Sequence, residues 1–239
     1  MKKILAIALI CAASAFAGWD YFPIIEYGKG EAKVAYVEYR QGNGGGGRSG
    51  SGLQDFKIRY SPMENLEVMS KYRGDRLGNY VLGARYQVMP DISAGLDLGF
   101  PIPETAGSIT PNAQYSMPLT EALVYGSNIG ISIYSENANK YKRGVDLNAG
   151  AELDLTMGKN IITFGLDINT GLTQSKNNGN KIPLKDDAGG RGIEFVPKIG
   201  YVAKAENLSL GTNIGMAFGE DAGHDNYATF INVEFAVKF

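Results

Sequence analysis

The sequence predicts an all-β fold: a closed antiparallel transmembrane β-barrel, with twelve strands as the count that fits, after a cleaved signal peptide. Three observations predict it. Segments of roughly ten residues alternate apolar with polar side chains, as a tilted strand crossing a bilayer requires. The connections switch between tight turns and longer polar loops. The aromatic residues of the apolar face gather in two bands. With Gly 32, Tyr 14 and Phe 10 among 239 residues, composition favours strands and turns over helices.

The first seventeen residues stand apart. Lys2 and Lys3 give a basic start, Ile4 to Ala13 is apolar, and Ala15-Phe16-Ala17 after Ser14 has the small-x-small pattern of a cleavage site. The run is too short for a spanning helix. Cys11, the only cysteine, follows Ile10 where a lipoprotein signal needs a small residue, so lipid attachment is not expected. A chain starting at Gly18 has no cysteine and no disulfide to hold it. Net charge is −2, and losing Lys2 and Lys3 takes it to −4, so no basic excess points to nucleic acid.

Strands are expected near 32–40, 53–61, 65–73, 79–88, 92–100, 109–117, 122–134, 144–156, 161–172, 192–203, 207–218 and 227–239. Phe56, Ile58 and Tyr60 alternate with Asp55, Lys57 and Arg59. Tyr80, Leu82, Ala84 and Tyr86 form another outward row, as do Leu96, Leu98 and Phe100. Ile129, Ile131 and Ile133, then Leu147, Leu153 and Leu155, then Ile162, Phe164 and Leu166, then Leu208, Leu210, Ile214 and Phe218 continue the series. Tight turns fall at Pro62 to Glu64, Met89 to Asp91, Pro118 to Glu121, Met157 to Asn160 and Lys204 to Glu206. Longer connections include Gln41 to Gly52, Glu136 to Arg143, Thr173 to Arg191 and Gly219 to Asn226. Glu64-Asn65-Leu66 and Glu206-Asn207-Leu208 are near copies, and Lys159-Asn160-Ile161 a looser one: a repeated hairpin unit, or convergence on good turn residues. Pro197 inside a strand removes a ladder donor and leads us to expect a bulge. Gly18 to Glu31, with Trp19 and Pro23, lacks clean alternation, so ten or fourteen strands also stay open.

On the apolar face, Tyr60, Tyr86, Tyr115, Tyr125, Phe164, Tyr201 and Phe239 lie at the tight-turn end. Tyr39, Tyr72, Tyr80, Phe100, Phe195 and Phe218 lie at the long-loop end. Two girdles around an aliphatic band are what a lipid-facing wall presents. A soluble sandwich would bury that face and has no reason to sort its aromatics.

In Ile231 to Phe239 every odd residue is apolar and every even one polar or small, ending on an aromatic carboxyl terminus. This segment resembles the C-terminal signal of Gram-negative outer-membrane β-barrel proteins, and the whole pattern is similar to their porin-like channels. The resemblance implies an integral outer-membrane location, short turns facing the periplasm and an even strand count. It implies a signal peptide at 1–17, a periplasmic N-terminal segment at 18–31 and the barrel at 32–239. A lumen plug or a longer first strand are other roles for 18–31. Phe235, Val237 and Phe239 would meet the barrel-insertion machinery, and outer-membrane lipid would surround the wall. The implied function is passive diffusion of small hydrophilic solutes, with no cofactor. The competing reading is a non-conducting structural or adhesin-type barrel that presents its surface loops.

Alternate residues then face the lumen. The basic set is Arg40, Lys57, Arg59, Lys71, Arg73 and Arg85, with Glu38, Asp55 and Glu67 among them. The acidic set further round the ring is Asp97, Asp146, Glu152, Asp154 and Asp167, and Asn112, Gln114, Asn128, Asn148 and Asn169 lie between. Charge is costly against lipid, so its confinement to one parity points to a wet interior. Similar transverse charge in general porins implies a polar solute path; the bland alternative is a lumen filled by its own ion pairs.

Other chemistry is weakly supported. Residues 42–49 superficially match a phosphate-binding loop, but Arg48 replaces the needed lysine and a strand follows where a helix should begin. His224 is the single histidine and no serine is set beside it by the hairpin register, so no enzyme is expected. Asp186, Asp187 and Glu194 match no calcium-loop spacing, and one histidine argues against a transition-metal site.

Overall fold

A computed structural model describes residues 24–41, 48–73, 79–101, 106–184, 192–219 and 227–239; the side chains of residues 37, 39–41, 48–55, 73, 79, 227 and 228 are likewise outside the description. The leader, Trp19, residues 42–47, Asp186, Asp187 and His224 all lie outside the described residues.

The described strands are β1 Gly30–Gln41, β2 Arg48–Met63, β3 Leu66–Arg73, β4 Asn79–Met89, β5 Ile92–Pro101, β6 Ser108–Pro118, β7 Leu123–Tyr134, β8 Tyr141–Lys142, β9 Asp146–Met157, β10 Asn160–Gly171, β11 Ser175–Asn177, β12 Asn180–Ile182, β13 Glu194–Ala205, β14 Leu208–Gly219 and β15 Tyr227–Lys238. Among these residues twelve strands close a barrel in the order β1-β15-β14-β13-β10-β9-β7-β6-β5-β4-β3-β2, and β8, β11 and β12 form a separate small sheet. Each neighbouring pair of the barrel is antiparallel, and closure runs from Glu31↔Lys238 to Gln41↔Ala228. Closure leaves the barrel sheet no unpaired edge, which is what lets strands cross a bilayer.

The wall is inverted relative to a soluble protein. Leu82, Leu96, Ile129, Phe164, Leu210, Ile231 and Phe235 are exposed on its outer face. Lys57, Arg59, Glu67, Arg85, Asp146, Glu152 and Asp154 are buried on the inside. Such an exterior is stable only against hydrocarbon, so the structure is a transmembrane barrel. The aromatic bands flank it: Tyr60, Tyr86, Tyr201 and Phe239 are exposed at the tight-turn end, and Tyr72, Tyr80, Phe100 and Phe218 at the other. Tyr115 and Tyr125 lie with ring centroids 6.2 Å apart, and Phe195 stacks on Phe218 at 5.7 Å.

Three expectations need correction. Pro197 causes no bulge: β13 keeps one register along β10, and along β14 the ladder skips Val196 and Pro197 without slipping. Pro111 does the same between β6 and β7, where Thr110 and Ser132 hydroxyls bond side by side at 3.0 Å. A missing donor costs one bond, whereas a slip would turn every later side chain to the wrong face. Glu38 does not face inward; it is exposed and pairs with Ile231 on the outer face. Val34-Ala35-Tyr36-Val37 is apolar at both parities, so alternation there does not select a face. The hairpin copies do not share a backbone either, since Asn65 takes φ 63, the β9–β10 turn uses Gly158 at φ 63, and Asn207 is not left-handed.

The connections Glu136 to Arg143 and Thr173 to Arg191, expected as loops, contribute the small sheet at the long-loop end. Asn178 and Gly179 have φ 50 and 82, the paired left-handed residues of a two-residue hairpin turn. Ser175 is fully buried and its hydroxyl accepts bonds from the Tyr141 hydroxyl at 3.2 Å and the Gly144 amide at 3.1 Å.

Candidate functional site: the barrel lumen

The lumen divides into two zones. Toward the long loops lies a cavity of about 450 Å³. Its wall carries Lys57, Lys71 and Arg85 from β2 to β4, Asp97, Asn112, Gln114 and Asn128 from β5 to β7, and Asp146, Asn148, Asp167, Asn169 and Glu194 from β9 to β13. Charge therefore changes sign around the ring, with amides between. The acidic side is matched locally. Arg143 reaches Asp146 at 2.5 Å, Lys198 reaches Asp167 at 2.8 Å, and the Asn169 amide donates to Glu194 at 2.9 Å. Arg143 also lies over the Tyr134 ring, 5.6 Å from its centroid.

Toward the tight turns the inward side chains are buried and form a chain of ion pairs. Arg59 bonds Glu31 at 3.0 Å and lies 3.5 Å from Glu67, and Arg85 approaches the other Glu67 oxygen at 3.6 Å. Lys33 pairs with Glu234. Glu152 and Asp154 are both buried on the same inward row of β9. The segment before β1 joins this network, because the Ile25 amide donates to Glu67 Oε2 at 3.0 Å. Glu67 is 1% exposed, so that bond brings the backbone before the barrel against the inner wall of the tight-turn end. The Gly28 amide also bonds the Ser61 carbonyl at 2.9 Å.

Of the residues marked in the sequence, Lys57, Lys71, Arg85, Asp97, Asp146 and Asp167 line the upper cavity, and Arg59, Glu152 and Asp154 lie in the buried lower zone. The side chains of Arg40, Arg73 and Asp55 lie outside the described residues. Sequence reading missed Glu31, Lys33, Arg143, Lys198 and Glu234. Parity alone would have found Lys198, which alternates with Ile199 and Tyr201, and Glu234, which sits between Val233 and Phe235. Arg143 precedes its strand and carries no such signal. Among the described residues no group of three or more His, Cys, Asp or Glu is placed to hold a metal.

The fold is shared with solved outer-membrane channels. An outer membrane channel from Pseudomonas putida F1 superimposes with a TM-score of 0.68 at 15% identity, covering 93% of this chain and 99% of that one. The KdgM porin gives 0.50 at 12% identity over 87% of this chain and 99% of its own, and its complex with disordered oligogalacturonate gives 0.52 at the same identity and coverage. No protein-family model and no curated protein matches the sequence.

Proposed function

We propose that this barrel is a porin-like channel, integral to the Gram-negative outer membrane, for passive diffusion of small hydrophilic solutes. The observation that carries the reading is a polar, oppositely charged chamber inside a wall whose outer face is apolar. Eight strands leave an interior that side chains fill, while sixteen or more leave an aqueous channel. Twelve fall between, which suits a narrow path shaped by individual side chains. Solutes would meet Lys57, Lys71, Arg85, Asp97, Asp146 and Asp167 first, then pass the Arg59, Glu152 and Asp154 level. Arg73 extends the basic set in this reading, whereas Arg40 shares the parity of Glu38 on β1 and leaves it. In the same reading residues 1–17 are a leader, and the periplasmic segment expected at 18–31 ends where β1 begins at Gly30 and is tied to the lower mouth through Ile25. Phe235, Val237 and Phe239 address the insertion machinery, and the chamber has no part in catalysis.

One observation favours a second reading. The Glu31–Arg59–Glu67–Arg85 chain and the Ile25 bond are what a sealed, non-conducting structural or adhesin-type barrel would use. Planar-bilayer recording of the refolded chain from Gly18 onward separates the two. Steady conductance is the expected result, and a correctly inserted barrel that passes no current would contradict the channel.

A further inference from the structure

The small sheet at the long-loop end rises from the upper ends of β9 and β10. The Val145 carbonyl accepts the Leu172 amide at 2.7 Å, and beyond it β8 pairs with β11 and β11 with β12. Directly opposed residues of antiparallel strands point to the same face, so the register sorts this sheet's side chains into two sets. One set is turned to the lumen. Arg143, next after β8, reaches Asp146 and lines the chamber, and the Tyr141 hydroxyl donates to the buried Ser175. The other face carries Lys142, Lys176 and Lys181, directly opposite one another on the three strands. Glu136 ends the row beside Lys142 through an isolated bridge, and all four residues are exposed. Among the described residues no carboxylate forms an ion pair with any of the three lysines.

Like charges directly opposite one another destabilise a sheet, so the row carries a cost that an anion standing between its ammoniums removes. Neighbouring strands lie about 4.8 Å apart, which makes the row about 10 Å long. Its position decides which anion it meets. The row is on the face turned away from the lumen, so a solute entering the chamber does not cross it. Below it, Ile133 and Leu172 are exposed on the lipid-facing wall. Lys176 follows Leu172 by four residues. At about 3.3 Å per residue along a tilted strand, that places it about 10 Å beyond the hydrocarbon, at the level of the headgroups. Long loops of outer-membrane barrels face the cell exterior, so these are headgroups of the outer leaflet. We propose that Lys142, Lys176 and Lys181 dock the phosphates of a phosphorylated glycolipid of that leaflet, whose acyl chains lie on the wall beneath. Two phosphates on linked sugars match the length and charge of the row, where a phospholipid offers one. The site rests on the outer-membrane location and not on whether the lumen conducts.

Native mass spectrometry of the refolded protein in detergent tests this with three probes: bis-phosphorylated lipid A, the same lipid without its phosphates, and inorganic phosphate. One bis-phosphorylated lipid should be retained per barrel. Its half-saturating concentration should be about tenfold or more below that of the dephosphorylated form, the difference that two or three exposed ion pairs supply. Rising ionic strength should narrow that difference. Lys142→Gln with Lys176→Gln and Lys181→Gln should abolish it, whereas Lys159→Gln at the opposite rim should leave it unchanged. The triple variant relieves repulsion, so its urea midpoint in lipid-free detergent should equal or exceed that of the parent chain. A lower midpoint would make the row structural and overturn the proposal. Equal retention of the two lipids, parent-like retention by the triple variant, or displacement of the lipid by equimolar inorganic phosphate would overturn it as well.

Discussion

The upper and lower halves of the lumen are cut from the same alternating strands, yet their charged groups do different work. In the upper half, acidic partners on β9 to β13 are satisfied locally and the basic wall of β2 to β4 faces a chamber. In the lower half, Arg59 and Arg85 converge on one buried carboxylate, Glu67, which also holds the backbone of Ile25. Parity determines only that a side chain faces inward. Whether it lines a path or closes one depends on which partners the register brings within reach.

The largest effect expected from breaking this contrast comes from Glu67→Ala. It would take the shared buried carboxylate from Arg85 and Arg59, of which Arg59 keeps Glu31, and losing one member of a buried ion-paired set costs about 3–5 kcal/mol. Reversible urea unfolding from lipid vesicles should show that loss, whereas Asp97→Ala in the chamber should cost under about 1 kcal/mol by the same measurement. A similar cost for both would mean that the halves do not differ mechanically.

Next in size is a test of the frame that holds both halves. Leu96, outward at mid-strand, faces lipid, so Leu96→Arg should cost about 2–4 kcal/mol in the same assay. A neutral result would place that face outside the hydrocarbon.

A smaller and purely electrostatic effect sharpens the contrast. Lys57→Glu with Lys71→Glu should shift the reversal potential in a potassium chloride gradient toward cation selectivity, raising the cation preference several-fold. The shift should shrink as ionic strength rises, because the chamber is wet and its charges are screened. An unchanged potential would remove these lysines from the ion path. Smallest of all is Pro197→Val, which restores one ladder donor opposite β14 and should stabilise by at most about 1 kcal/mol.

Most of the fold was legible because lipid imposes a strict rule. Outward positions at the depth of the hydrocarbon favour apolar side chains, so rows such as Tyr80, Leu82, Ala84 and Tyr86 mark both strand and face. Legibility failed where the rule relaxes. Val34 to Val37 is apolar on both faces, so Glu38 was assigned to the wrong one. Pro197 was visible, but the stiffness of a ladder paired on both sides was not, and register survived it. The small sheet of β8, β11 and β12 stands outside the barrel ladder, beyond the reach of periodicity. Inward parity identified Lys57, Arg85 and Asp97, yet the division into chamber and buried network depends on contacts between distant strands. Glu31 meeting Arg59 follows from the β1–β2 register, and Arg59 meeting Glu67 from β2–β3; neither is written in the sequence locally.

The most direct test of the two-zone lumen uses the absence of cysteine after Cys11. Asn128→Cys probes the chamber, and Asn213→Cys probes the buried lower zone. In vesicles with the long loops outward, a membrane-impermeant thiol reagent added outside should modify Cys at position 128 rapidly and at position 213 at least about tenfold more slowly, the contrast that follows from a wet chamber above a buried network. Equal rates at both positions would contradict the account, because the lower half would then be as open to water as the upper.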